Sequence, residues 1–296
     1  MRSFDPQVIL RPELGELKAY SPTLGNFELR LDANEAPPVL SAAAKKKLGE
    51  TAAKTLWHQY PDAGQKELRK AIAKHLGVKS TQLVVGVGSD EIITLLLTVF
   101  TKSKSKAPAP TLLTTTPTFV MYRLSARLRG QRVMEVPLDE NWDLDEEAML
   151  RAIDMASPNV IFIASPNNPT GTMMSKDRLE RVIQAASDSL VVIDEAYVDY
   201  AERHHLDLLE RYENVAILRT LSKVGFAALR VGWIVASPAL VNELDKARLP
   251  YNLPTVSQSL ATLVLNEMGD EIRSIRELVV RERTRLTQAL GPHPAV

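Results

Sequence analysis

The sequence predicts an α/β protein: a mostly parallel sheet with helices on both faces, followed by part of a smaller domain. Three observations carry this. Between Leu83 and Val235, short apolar runs alternate with stretches of helical periodicity, the pattern of repeated strand–helix units. The runs are short and continuously apolar, as in Leu190-Val191-Val192-Ile193, which suits strands covered on both sides. Several of them end in polar residues of distinct types, and in open α/β sheets ligands sit outside the carboxyl ends of the strands.

Taken in order, residues 1–40 are rich in proline (Pro6, Pro12, Pro22, Pro37, Pro38) and show little periodicity, so they read as an extended arm. Thr51 to Trp57 has helical propensity. Tyr60-Pro61-Asp62-Ala63-Gly64 is a turn by its Pro and Gly. Gln65 to Leu76 places Leu68, Ile72 and Leu76 on one helical face, and Gly77 ends that helix. Strands are then predicted at Leu83–Val87, Thr111–Thr115, Arg132–Val136, Val160–Ala164, Leu190–Asp194, Val215–Leu218 and Val231–Val235. Helices are predicted between them at Asp90–Phe100, Thr118–Leu128, Asp145–Asp154 and Lys176–Ser187. Pro238–Arg248, Ser257–Glu267 and the charged, amphipathic stretch Glu271–Leu290 complete the helices. The expected division is an arm (1–40), a large domain (41–250) and a partial C-terminal small domain (251–296).

Composition removes several function classes. The 296 residues are 45% hydrophobic, enough for one large core. Lys+Arg and Asp+Glu both total 36, so there is no positive excess to mark a nucleic-acid surface. The absence of cysteine excludes disulfides and thiolate chemistry. Residues 1–10 carry Arg2 and Asp5 and no signal-like apolar core, and the longest greasy stretch, Ile92–Phe100, is too short to span a bilayer. A soluble cytoplasmic protein is expected. The charge run Lys102–Lys106 reads as a solvated loop, and His204 and His205 read as surface residues without metal-binding spacing.

Four strand ends carry the chemistry. Gly86-Val87-Gly88-Ser89-Asp90-Glu91 is a strand, a small-residue turn and a helix start. Ser89 or Asp90 suits an N-cap, and the N–H groups there suit a phosphate. Ser165-Pro166-Asn167-Asn168-Pro169-Thr170-Gly171 is a turn by composition; alone, Asn168 needs no other role. Asp194 ends a buried strand with Tyr197 close behind, and a buried acid is costly unless paired. Glu195 is expected to point to the other sheet face. Lys223 follows Ser222 at the end of another apolar strand, in surroundings that favour a neutral, nucleophilic amine, and Arg230 suits a phosphate. An acid, a phenol and an amine at neighbouring strand ends are what pyridoxal 5'-phosphate requires: the Lys forms a Schiff base and the Asp keeps the pyridine nitrogen protonated.

These segments resemble the fold type I pyridoxal-phosphate aminotransferases, and within them the histidinol-phosphate aminotransferase family. The resemblance rests on residues 165–171, on Asp194-Glu195-Ala196-Tyr197 and on Thr220 to Arg230. Leu31-Asp32-Ala33-Asn34-Glu35, Tyr60-Pro61-Asp62, Gly88 to Glu91, Pro117 to Tyr122 and Leu249 to Leu253 also point that way. It runs from about Tyr20 to the end. It implies that Lys223 carries the cofactor and moves the proton, and that Asp194 pairs with the ring nitrogen. It implies that Asn168 and Tyr197 bond the phenolic oxygen, that Phe119 stacks on the ring, and that Ser89, Asp90, Ser222 and Arg230 hold the phosphate. Tyr60 would reach the cofactor of a partner subunit, implying a homodimer, and Tyr20 and Asn34 would lie near the substrate. The family also has a substrate-anchoring Arg in its small domain that no residue here matches, so a C-terminal truncation is expected.

The expected activity is transamination of histidinol phosphate with 2-oxoglutarate and glutamate as the amino couple, in histidine biosynthesis. The partners are then a phosphorylated amino alcohol and a 2-oxo acid, with neither nucleic acid, membrane nor metal. The alternatives are an aromatic amino-acid aminotransferase, a threonine-phosphate decarboxylase of the same fold, or a truncated, non-catalytic cofactor-binding protein.

Overall fold

The apolar runs pair into one seven-stranded sheet. In the computed structural model, residues 4–15, 25–28, 31–104, 107 and 109–291 are described. A turn of 3-10 helix (Pro6–Val8) and one helical turn, α1 (Pro12–Gly15), precede α2 (Ala42–Ala53) and α3 (Lys66–Leu76). Strand and helix then alternate: β1 (Leu83–Val87), α4 (Gly88–Val99), β2 (Thr111–Thr116), α5 (Met121–Arg127), β3 (Arg132–Pro137), α6 (Glu146–Ala156), β4 (Val160–Ala164), α7 (Lys176–Ala185) and β5 (Leu190–Asp194). After β5 come β6 (Val215–Thr220), β7 (Val231–Val235), α8 (Pro238–Ala247), α9 (Thr255–Glu267) and α10 (Gly269–Leu290).

The strand order is β1-β7-β6-β5-β4-β2-β3. Only β7 runs against its neighbours, pairing antiparallel with both β1 and β6. The carboxyl ends of β1, β6, β5, β4 and β2 therefore share one edge, where β7 begins. Each sheet face is buried by its own set of helices. Leu68 and Ile72 of α3, Met149 of α6, Leu179 and Val182 of α7 and Val264 of α9 cover one face. Ile92 and Leu96 of α4, Tyr122 of α5 and Leu244 of α8 cover the other. Each fully buried Leu or Ile contributes about 1.5–3 kcal/mol, so this packing, more than helix propensity, holds the helices in place.

The predicted strands form where expected, β2 and β3 each running one residue further and β6 two. Elsewhere the structure departs from the sequence reading. The helix expected at Thr51–Trp57 lies earlier, at α2, capped by the Ser41 hydroxyl accepting from Ala44 N–H at 3.1 Å. Its buried contact is a single alanine, Ala44, so it shows no apolar stripe. The arm is not uniformly extended, since it includes two short helical turns. In the Lys102–Lys106 run, Lys104 is half-buried and donates to the carbonyls of Pro158, at 2.7 Å, and Asp188. His205 is buried, not surface. Among the described residues, no helix is long and apolar enough to cross a membrane.

Candidate active site

At the shared carboxyl edge, one cleft gathers the predicted strand ends. Ser89, Asp90, Phe119, Asn168, Asp194, Tyr197, Ser222, Lys223 and Arg230 all line it. Tyr20 lies outside the described residues. Tyr60 does not line this cleft; its ring is exposed and stacks on Tyr251 with centroids 4.8 Å apart. Asn34 sits at the rim, its side-chain N–H donating to the Tyr197 hydroxyl at 3.0 Å.

Asp194 ends β5 on the face packed by α4 and α5. It is 4% exposed. Its Oδ2 accepts from the Tyr122 hydroxyl at 2.6 Å and its Oδ1 from the Ala196 N–H at 2.9 Å. Burial pushes its pKa up to about 6, against the pull of those two donors, and Asp90 and Glu195 add to the rise. Neither hydrogen-bond partner is a cation, so this carboxylate suits a protonated nitrogen placed in the cleft. Tyr122 is the residue the sequence reading passed over. Fully buried, it stacks on Phe162 with centroids 4.6 Å apart and meets the edge of Phe119 at 5.5 Å. Burial and the neighbouring Asp194 hold its phenol well above the usual range, which keeps it a donor. Its position four residues into the Thr118–Leu128 helix signals a core aromatic, not a partner for an acid 72 residues away.

Lys223 lies just past β6, where the chain leaves the sheet in a tight coil, Ser222–Phe226, with Gly225 at φ +94°. Val224 and Phe226 are buried in the core, while Lys223 is only half-buried. Its Nζ donates to the Ala33 carbonyl at 3.1 Å and lies 5.6 Å from the centre of the Tyr197 ring. The Tyr200 hydroxyl donates to the Lys223 carbonyl. An Ile275 side chain of α10 closes over Gly225, where an added Cβ would fall 2.5 Å from Ile275 Cδ1.

The other end of the cleft suits an anion. α4 opens at Gly88, so the N–H groups of its first turn, including Ser89 and Asp90, have no helical acceptor. Arg230, in the left-handed region at φ +53°, places Nη2 3.3 Å from Asp90 Oδ2, and its carbonyl accepts from Gly88 N–H at 2.8 Å. The buried Thr220 hydroxyl contacts Ser222 Oγ at 2.9 Å and the Val231 carbonyl at 3.0 Å, fixing Ser222. Gly232 is the second residue passed over: a Cβ there would lie 2.4 Å from the Ser89 nitrogen. Gly232→Ala is expected to cost about 1–3 kcal/mol of stability and to weaken anion binding at the α4 terminus; chemical denaturation and a pyridoxal phosphate titration would read both.

Asn168 is held by its neighbour. The buried Asn167 amide donates to the Pro117 carbonyl at 3.0 Å and accepts from Thr118 at 2.8 Å, joining the loops after β4 and β2. The cleft thus offers a buried acid at one end, an anion cradle at the other, an amine and a phenol between them, and Phe119 on its wall. Those donors fit pyridoxal phosphate. Among the described residues, no cluster of His, Asp and Glu could hold a metal ion.

A sheet with such a cleft at its carboxyl edge defines a cofactor-binding α/β enzyme of fold type I. Residues 24–292 match the family of class I and II aminotransferases, and the chain belongs to that family: it is a pyridoxal-phosphate-dependent aminotransferase. It is 38% identical to a histidinol-phosphate aminotransferase of Methylibium petroleiphilum, over 95% of this chain and 75% of that protein. It is 37% identical to histidinol-phosphate aminotransferase 1 of Burkholderia lata, over 98% of this chain and 80% of that one. Among solved structures, the Sinorhizobium meliloti histidinol-phosphate aminotransferase in complex with pyridoxal-5'-phosphate shares the fold. Its TM-score is 0.82 at 23% identity, covering 94% of this chain and 76% of that chain.

Proposed function

We propose that this protein transaminates histidinol phosphate, with 2-oxoglutarate and glutamate as the amino couple, in histidine biosynthesis. The observation that carries the substrate is the 37–38% identity, over nearly the whole chain, to relatives bearing that name. Bound pyridoxal phosphate supplies an aldehyde for the amine and a ring that takes up electrons from the substrate carbon. The chain's residues do the rest. Lys223 Nζ holds the cofactor and moves the proton. Asp194 keeps the proton on the pyridine nitrogen, while Asn168 and Tyr197 orient the phenolic oxygen and Phe119 stacks on the ring. Ser89, Asp90, Ser222 and Arg230 hold the phosphate, and Asn34, with Tyr20, faces the substrate. The exposed Tyr60 supports a homodimer in which it serves the partner's site. A cytoplasmic location goes with this biosynthetic reading. So does a division into arm (1–40), large domain (41–250) and partial small domain (251–296), supported by the confinement of the strands among the described residues to 83–235.

Turnover of histidinol phosphate, phenylalanine and threonine phosphate should be compared under one set of conditions. We expect kcat/KM for histidinol phosphate to exceed that for phenylalanine by on the order of 10²-fold or more. Faster turnover of phenylalanine, or carbon dioxide released from threonine phosphate, overturns the substrate assignment. A protein that binds the cofactor and turns over none of the three supports the non-catalytic reading.

A further inference from the structure

One residue after Asp194 the chain buries a second carboxylate. Asp194 pairs with Leu218 in the β5–β6 ladder, so Glu195 and Arg219 come next side by side. Side-chain alternation turns both to the face opposite Asp194. Glu195 is 1% exposed there. Its Oε2 accepts from Arg219 Nε at 2.8 Å and lies 2.7 Å from Arg219 Nη2. Its Oε1 accepts from the His205 backbone N–H at 2.6 Å and lies 3.0 Å from His205 Nδ1. Burial pushes the Glu195 carboxyl up, but His205 and Arg219 together outweigh it and hold it below its ordinary value. Asp199 is the other carboxylate whose charge reaches Arg219.

Stability gives little reason for such a pair, since replacing a buried ion pair by apolar side chains is often neutral or stabilising. What a charge-assisted hydrogen bond from Arg219 Nε to a buried carboxylate adds is direction. Glu195 sits between Asp194 and Tyr197, and Arg219 lies four residues before Lys223. An apolar contact sets no preferred direction between the two strand ends, whereas the hydrogen bonds of Arg219 and His205 to the two Glu195 oxygens do. We propose that the Glu195–Arg219 pair, anchored by His205, is a positioning element. It fixes Asp194 and Tyr197 on one strand end relative to Ser222 and Lys223 on the next. The proposal rests on the cofactor roles assigned to those four residues above.

The test compares wild type, the double variant Glu195→Met/Arg219→Met, and Glu195→Gln. The double variant removes both charges of the pair at once, and Asp199, which loses the Arg219 charge, keeps those of His75 and Arg276. Five quantities are read: the urea midpoint of cofactor-free protein, the Kd for pyridoxal phosphate by tryptophan fluorescence, the pH midpoint of the visible cofactor band, and kcat and KM for histidinol phosphate. The double variant is expected to keep its urea midpoint, bind the cofactor more weakly and titrate its visible band at a changed pH. Its kcat should fall by about 10- to 100-fold, with KM changed by less than about threefold. Glu195→Gln, whose single amide oxygen can accept from Arg219 but sets an NH2 against the donating His205 N–H, is expected to recover only part of that kcat. A folded double variant with wild-type Kd, band and kcat overturns the proposal, and so does an unfolded one beside a Glu195→Gln variant whose loss is confined to the urea midpoint. A wild-type protein that gives no visible band with pyridoxal phosphate instead overturns the cofactor assignment, and this proposal with it.

Discussion

Lys223→Ala is expected to remove the visible absorbance of the covalently held cofactor and to lower kcat by about 10⁴-fold or more, while leaving the fold intact. Both halves follow from where the side chain stands. In the proposed mechanism its amine would both hold the cofactor and move the proton, so one truncation deletes two functions. Among the described residues the Lys223 side chain has no carboxylate partner; its contacts are the Ala33 carbonyl and the Tyr197 ring face. Removing it therefore strands no buried charge, and the stability change should stay within about 1 kcal/mol. The variant should still bind pyridoxal phosphate reversibly, because the anion cradle and Asp194 remain. The comparison is a visible spectrum before and after dialysis, beside a turnover assay. A variant that keeps an undialysable visible band, or that turns over at the wild-type rate, would remove Lys223 from the mechanism.

The sequence shows the strand ends better than the paths between them. β1, β4, β5 and β7 were legible to the residue because they are unbroken buried apolar runs: those of β1, β4 and β5 stop where a polar group meets the cleft, and that of β7 starts there. Asp194 and Lys223 were legible for the same reason. The strand order was not. No local pattern records that β7 turns back and inserts antiparallel between β1 and β6, although that insertion brings Arg230 to Asp90 and Gly232 to Ser89. Partnerships across the fold were hidden as well. Tyr122 reads as a core aromatic until α5 is laid on β5. His205, in a polar stretch, reads as surface until its backbone and ring are seen to serve Glu195. The turn at Asp62 shows the converse, since its carboxylate accepts from Gly64 N–H at 2.9 Å and Lys66 N–H at 2.8 Å, starting α3 within a few residues. Local chemistry was readable; chemistry completed by a distant segment was not.

Asp194→Asn is expected to move the two forms of the protein in opposite directions. In cofactor-free protein the folded state holds the Asp194 proton up to about pH 6, whereas the unfolded chain releases it near the ordinary 3.8. The fold therefore binds the proton more tightly, and stability falls as pH rises through that window. The loss amounts to about 3 kcal/mol by pH 8, roughly half of it already incurred at pH 5. An asparagine cannot ionise. The stability of cofactor-free Asp194→Asn relative to wild type should accordingly improve by about 1–2 kcal/mol between pH 5 and pH 8 in urea unfolding. A difference that stays flat across those pH values would show that Asp194 carries no such burden. With cofactor bound the sign reverses. In the proposed mechanism the ionised Asp194 would face a protonated pyridine nitrogen, and the charge that is costly in the bare cleft would keep the ring an electron sink. Losing it should lower kcat by about 10²–10³-fold and reduce the stabilisation that pyridoxal phosphate confers. The Tyr122 hydroxyl separates these effects from a change of shape. It donates to Oδ2 in wild type and can instead accept from the asparagine NH2 while the amide oxygen keeps the Ala196 N–H, so the side chain keeps its orientation while its charge is gone. A variant that loses pH dependence when bare and rate when loaded identifies one buried carboxylate as the source of both.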